Sequence, residues 1–212
     1  MSDSSASTSC IMYLIRHGAT ENNLKKPAVL QGKGLNGPLS PTGIEQAQQT
    51  ALFLADHPIS AIYSSPMLRA MQTAAAIASQ HTGMKIAQVP SIIEVDVGHW
   101  EGRDWGDIQT NDPEEYAQHM SDPSKFPYPG GESMQQVQQR CVPELLRILN
   151  ENTGHIVVTA HNVVNRSMVA HLLNSPLKQA RQIRQDNCGI NVIRRKGDRV
   201  ELMTVNSVFH LG

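Results

Sequence analysis

The sequence predicts an α/β protein, a three-layer α/β/α sandwich with a mostly parallel central sheet. Short β-rich apolar runs at 11–16, 61–63, 86–89 and 156–160 alternate with helix-length segments, the pattern of strands joined by crossover helices. The chain has 212 residues, 40% hydrophobic and 17% charged. That suits one elaborated domain whose core needs neither disulfides nor a structural metal. The runs also end near chemically capable residues: Arg16-His17, Ser64-Ser65 and His161, with Glu94 soon after the third run. Open α/β sheets bind ligands beyond the carboxyl ends of their strands, so these segments are expected at one edge.

Residues 1–9 form a Ser-rich stretch read as a disordered tail, and the domain spans 10–212. The apolar run before Arg16 is too short for a signal or membrane segment. Residues 17–39 are rich in Gly, Pro and Asn and read as loop. Ser40-Pro41 opens a helix to about Asp56, since Ser caps and Pro suits the first turn. Thr42 with Glu45 is a competing capping box, and Ile44, Ala47, Ala51, Leu52 and Leu54 supply the apolar face. After the second run, Ser65-Pro66 starts a helix over about 66–82. Residues 95–131, rich in Gly, Pro, Asp and His, form a small insertion with short helices at most. A long helix over 132–151 follows, with a kink expected at Pro143. The strand at 156–160 leads into a helix at 162–173. Runs at 190–195 and 200–205 flank Lys196-Gly197-Asp198 as a hairpin.

Eighteen basic against 19 acidic residues give a net charge of −1, which argues against a nucleic-acid binder. No membrane association is expected. Cys10, Cys141 and Cys188 are odd in number, far apart and without a CxxC pair, so a reducing cytoplasm is the expected compartment. Neither HExxH nor Cys/His ligand spacing occurs, and no metal or other cofactor is expected.

The residues at the strand ends suit phosphate chemistry. A neutral imidazole is a nucleophile towards phosphorus, and Arg grips phosphate oxygens by bidentate hydrogen bonds, so Arg16-His17 is a candidate pair. Gly18 is expected to let the backbone approach a ligand. Arg69 lies near the first turn of its helix, where anions are favoured. Glu94 follows Ile92-Ile93, whose apolar surroundings favour a protonated carboxyl and a role as acid. His161 directly follows the most apolar strand. Each alone has an ordinary alternative: a solvated helix face, a loop carboxylate or a satisfied histidine.

Longer strings join these residues. Leu14 to Asn23 (LIRHGATENN) resembles the RHGETxxN signature of the histidine phosphatase superfamily, the phosphoglycerate mutase-like family. Gln31-Gly32, Pro38-Leu39-Ser40, Gly43 and Gln46-Ala47 continue the likeness. Ser64 to Ala74 (SSPMLRAMQTA) is close to SSPLxRAxQTA, and Glu94 to Gly102 (EVDVGHWEG) resembles the acid-bearing ExxxGxWEG. Pro129 to Ser133 matches PGGES, Ala160-His161-Asn162 with Arg166 resembles SHGxxxR, and Asn206 with His210-Leu211 echoes the terminal pattern. The motifs keep the family's order from about residue 11 to 211.

The resemblance implies that His17 becomes phosphohistidine and that Arg16, Arg69 and His161 bind the transferring oxygens, helped by Asn23. Glu94 then protonates the leaving alcohol and activates water. Gln31, Gly32 and Asn162 join the substrate-binding set. Neighbouring cations would keep His17 unprotonated. The EVDVGHWEG segment and compact length resemble the phosphatase branch, so the expected activity is metal-independent hydrolysis of a small phosphorylated metabolite, such as a sugar or sugar-acid phosphate. The runner-up is a phosphoglycerate mutase. A non-catalytic phosphate-binding module would show loss of the nucleophile, an Arg or the acid, and all are present. Family members range from monomers to tetramers, which leaves a homo-oligomer open.

The sequence departs from the pattern at Ala19, Ala160 and Asn162, where the family usually has Glu, Ser and Gly. Ala19 and Asn162 are read as specificity positions. His99 is expected in a structural or solvated role, with a substrate contact as alternative. Trp100 and Trp105 are expected to pack the insertion, and Arg166 to support the pocket. Lys33 and Arg103 are read as solvated.

Overall fold

The computed structural model describes residues 9–212. Strand β1 (Ser9–Arg16) pairs in parallel with β4 (Gly154–Ala160), setting Arg16 beside Ala160. β4 pairs in parallel with β2 (Ile59–Ser64), and β2 with β3 (Ile86–Gln88). β5 (Ile190–Lys196) runs antiparallel to β1, and β6 (Arg199–Ser207) antiparallel to β5. The sheet order is β3-β2-β4-β1-β5-β6. Four parallel strands thus form the expected centre, and the C-terminal hairpin adds an antiparallel edge.

Alternation along β1 builds the layers. Tyr13 and Ile15 pack with Ala51 and Leu54 of α2 (Pro41–Leu54) and with Ala74 and Ile77 of α3 (Leu68–Ala78). Met12 and Leu14 face the other way, in the cluster holding Leu145 and Ile148 of α6 (Met134–Glu151) and Met168 of α7 (Asn162–Leu172). Burial on both faces explains why β1 and β4 read as continuous apolar runs. Each fully buried Leu or Ile contributes roughly 1.5–3 kcal/mol.

Several boundaries differ from expectation for identifiable reasons. Ser9 belongs to β1; the rest of the expected tail lies outside the described residues. Ser40 caps α2 by accepting from the Gly43 N–H at 3.1 Å, so the Thr42–Glu45 alternative is not used. The buried stripe of α2 is Gly43, Ala47, Thr50, Ala51 and Leu54. Ile44 and Leu52 fall one residue to its side and are 46% and 66% exposed, against expectation. α3 starts at Leu68 rather than Pro66, because Ser65 turns the chain and accepts from the Met67 N–H. α6 is capped by Ser133 with Gln136 and runs unbroken through Pro143.

A one-turn helix, α1 (Glu21–Leu24), follows β1. The insertion carries only short helices, α4 (Trp105–Asn111) and α5 (Pro113–Ser121), after a helical turn at Gly98–Trp100. Buried Trp100 meets Trp105 and Tyr128 edge-on and donates from Nε1 to Asp112 at 2.7 Å. The three cysteines are buried and free. Among the described residues, no helix is long and apolar enough to cross a membrane.

Candidate active site

Parallel pairing continues past the strand ends. His17 N–H donates to Ala160 O at 3.0 Å, and Ser65 N–H to Thr159 O at 3.0 Å. This brings Arg16-His17, Ser65 and His161 level at one edge. The 187–188 segment fixes the first pair: Asn187 Nδ2 donates to His17 O at 3.0 Å and Cys188 N–H to Arg16 O at 3.1 Å.

His17 is 3% exposed. Its Nδ1 lies 2.7 Å from Gly18 O, an acceptor only, so Nδ1 carries the proton and Nε2 the lone pair. Arg69 donates from Nε to that Nε2 at 3.1 Å. Arg69 is fully buried in the first turn of α3, with Nη1 donating to Leu35 O at 2.8 Å and Nη2 to Gly32 O at 3.1 Å. Burial, then the Arg69 and Arg16 charges, hold the His17 imidazolium well below the usual histidine range. The expected cation effect is present, but desolvation is the larger cause.

Arg16 donates from Nη1 to Gln185 O at 2.7 Å, while its buried Nε has no partner. Burial, with Arg166 and Arg69 nearby, pushes its pKa down to about 10 against the pull of Glu94. His161 is fully buried, its ring centroid 5.3 Å from that of His17. Its Nε2 lies 2.7 Å from Ser65 Oγ, and its Nδ1 has no partner. An imidazole that accepts from Ser65 Oγ at Nε2 carries its proton on Nδ1, the ring atom left without a partner. Burial, then Arg69, hold His161 neutral as well. Glu94 is 4% exposed; its oxygens accept from the backbone N–H of Val95 at 2.9 Å and of Val163, in the first turn of α7, at 3.3 Å.

These groups border a cavity of about 420 Å³ between the strand ends and the insertion. Arg16, His17, Asn23, Gln31, Glu94 and Asn162 line it. Arg69, His161 and Gly32 do not; the first two are fully buried against His17, and Gly32 acts through its carbonyl on Arg69. Asn23 Oδ1 accepts from Thr20 N–H and Asn187 Nδ2. Gln31 bonds Thr20 Oγ1 and Leu35 O, bracing the loop as well as lining the cavity. Asn162 has a buried Oδ1 without a partner.

Some expectations need correction. Gly18 is required by a helix: a Cβ there would lie 2.4 Å from Gly43 O. Ala19 is 1% exposed and off the cavity, its backbone holding Ser40 and Gln46, so it is no specificity position by contact. His99 is exposed beside Gly130 and does not line the cavity. Trp105 both packs the insertion and lines the cavity. Lys33 pairs with Asp96 and Arg103 with Asp107 and Asp112. Arg166 lines the cavity directly, its Nε on Ile183 O at 2.8 Å.

Sequence reasoning missed several supports. Ser65 orients His161. Arg140 on α6 donates to Ser91 O, Ile93 O and Glu94 O at 2.7–3.1 Å and pairs with Glu132 at 2.8 Å, clamping the segment that carries Glu94. Glu101 accepts from Gly32 and Gly34 N–H at 2.6 and 3.0 Å. Arg181 and Tyr128 also line the cavity. Among the described residues, no group of three or more His, Cys, Asp or Glu is placed to hold a metal ion.

Known proteins resemble this chain in sequence and fold. Phosphoserine phosphatase 1 of Hydrogenobacter thermophilus is 30% identical over 203 residues, 95% of this chain and 94% of that protein. The structure is similar to phosphoserine phosphatase from Entamoeba histolytica in complex with 3-phosphoglyceric acid, with a TM-score of 0.84 and 27% identity over 96% of this chain and 100% of that one. It is also similar to the alpha-ribazole phosphatase of Shigella flexneri, with a TM-score of 0.81 and 26% identity over 93% and 96% of the two chains. Residues 12–208 match the sequence profile of the histidine phosphatase superfamily (branch 1), and the chain belongs to that superfamily.

Proposed function

We propose that this protein is a metal-independent phosphomonoester hydrolase that acts through a phosphohistidine on a small phosphorylated metabolite. The observation carrying this reading is His17: buried and neutral, its Nε2 lone pair is set among Arg69, Arg16 and His161 beside a cavity walled by Glu94. Phosphoryl transfer asks chiefly for in-line positioning and charge stabilisation, which such a cluster supplies. The phosphatase names of the relatives agree with it.

In the first step Arg69 Nε turns from His17 Nε2 to a phosphate oxygen, and the freed Nε2 lone pair attacks phosphorus as the P–O ester bond breaks. Glu94 gives its proton to the leaving alkoxide oxygen. Arg16, Arg69 and Nδ1–H of His161 hold the equatorial oxygens, with Asn23 assisting. In the second step Glu94 takes a proton from water as that oxygen attacks phosphorus. The P–N bond then breaks, releasing phosphate and restoring His17.

The test is phosphate release in EDTA from aryl, sugar, glycerate and nucleoside phosphates, with wild type and His17→Ala. EDTA-resistant hydrolysis lost in the variant is expected. Isomerisation of 3-phosphoglycerate without phosphate release would replace hydrolase by mutase, and hydrolysis surviving His17→Ala would remove the phosphohistidine.

A further inference from the structure

We propose that the substrate carries a second anionic group, a carboxylate or a further phosphate, received by Arg166 and Arg181. This rests on the hydrolase reading and names the substrate class. The starting point is a charge imbalance. Among the described residues, ten ion pairs engage Lys33, Lys125, Arg103, Arg140, Arg147, Arg184, Arg194 and Arg199, but none engages Arg16, Arg69, Arg166 or Arg181. Three of these four line the cavity and Arg69 is buried against His17, with Glu94 as the lining carboxylate. Leaving guanidinium groups unpaired at a partly enclosed site is costly unless a ligand answers them. The dianion of one phosphate ester matches Arg16 and Arg69 at the strand ends. Two cations remain.

Those two are pre-oriented. Arg166 projects from α7 and anchors its Nε on Ile183 O at 2.8 Å, which leaves its terminal nitrogens free. Arg181 comes from the helical turn Leu177–Gln182 and lies over the Trp105 ring, 4.9 Å from its centroid, with Nη1 against Met120 Sδ. It is therefore held against the insertion wall, away from the strand ends. Desolvation and the Arg181 charge lower the Arg166 pKa, a sign that the two guanidiniums feel each other. Paired planar forks suit a carboxylate or phosphate, and the cation–π stack limits the entropy lost on binding. Asn162 adds a buried Oδ1 on the same wall as Arg166, able to accept from a hydroxyl or amino group between the two anions.

The experiment compares kcat/KM for 3-phosphoglycerate, glycerol 3-phosphate and 1,3-propanediol bisphosphate, which offer a carboxylate, no second anion and a second phosphate. Wild type is expected to favour one of the dianionic partners over glycerol 3-phosphate by on the order of 10². The favoured partner tells carboxylate from phosphate. Arg166→Gln and Arg181→Gln should each cut that ratio on the order of tenfold. Arg181→Lys, which keeps the charge, should retain most of it. A wild-type ratio near one, or variants that slow all three esters equally, would overturn the proposal. Calorimetric binding of the same compounds to His17→Ala reads the preference without turnover. Equal affinities there overturn the second-anion site. A clear preference there, with no phosphate release by wild type from any ester, keeps the site and overturns the hydrolase.

Discussion

Arg69 Nε donates to His17 Nε2 at 3.1 Å, so the atom proposed to attack phosphorus is already bonded to the cation proposed to hold the phosphate. The remaining Arg69 nitrogens are taken by Leu35 O and Gly32 O, and the whole side chain is buried. One residue thus fixes the ring, lowers its basicity and ties the 32–35 loop to α3.

Arg69→Ala is therefore expected to lower kcat by about 10²–10³, by analogy with loss of an oxyanion-stabilising donor. It also strands two carbonyl acceptors, at a cost of about 1–3 kcal/mol in stability. Arg69→Lys keeps the charge but not the fork and should fall between. Single-turnover kinetics and thermal unfolding on the same preparations separate the two effects. A variant that loses stability but not rate would sink the catalytic role.

The pH dependence has a defined sign. As the proposed nucleophile, His17 has to be unprotonated, and burial with Arg69 and Arg16 depresses its pKa well below 6.5. The acidic limb of kcat/KM, where it reports this group, should lie well under pH 6.5. Arg69→Gln should move that limb upward, though not to the free-histidine value, because burial is the larger cause.

Stability follows the same linkage. His119, buried in the insertion, has its pKa lowered to about 4 by burial and Arg181. Between about 6.5 and about 4 the unfolded chain binds more protons at this group than the folded chain. Its contribution is fully present above about pH 6.5 and is lost as pH falls towards 4. His119→Gln, which keeps a donor for Phe126 O, should lose less Tm than wild type between pH 7 and 4.5. Parallel Tm curves would contradict this.

The clamp on Glu94 predicts a dependence on the leaving group. Arg140 grips the carbonyls of Ser91, Ile93 and Glu94, and Glu132 holds Arg140 and the Asp96 N–H. Arg140→Met should loosen the proposed acid. Alkyl phosphates, whose alkoxide needs the proton, are expected to slow on the order of tenfold more than p-nitrophenyl phosphate. Equal slowing of both would mean that Arg140 is only structural.

How much of this could be read beforehand depended on where each residue's information lies. Arg16, His17, Arg69, Glu94 and His161 sit in contiguous strings at or near strand ends, and parallel pairing is enough to gather them. Arg140 sits midway along an amphipathic helix, where an arginine looks solvated until the 91–94 segment packs against it. Arg181 lies in a short helical turn without a motif, and only the fold places it over Trp105. The packing of Gly18 and Ala19 escaped notice because their neighbour, the start of α2, is more than twenty residues away in sequence.

Glu101 shows the same kind of hidden support. Its carboxylate accepts from Gly32 and Gly34 N–H, and the Gly32 and Leu35 carbonyls of that loop accept from Arg69. A Cβ on Gly32 would lie 2.4 Å from Val95 O, so the loop has little room to settle elsewhere. Glu101→Gln swaps one acceptor oxygen for a donor facing an N–H. It should cost about 1.5–3 kcal/mol, the range for hydrogen bonds to charged groups. With the loop displaced, Arg69 loses its orientation and its grip on His17. The acidic limb of kcat/KM should then shift upward, as in Arg69→Gln, although Glu101 does not line the cavity. A loss of Tm with an unmoved pH profile would show that the loop and His17 are not coupled through Arg69.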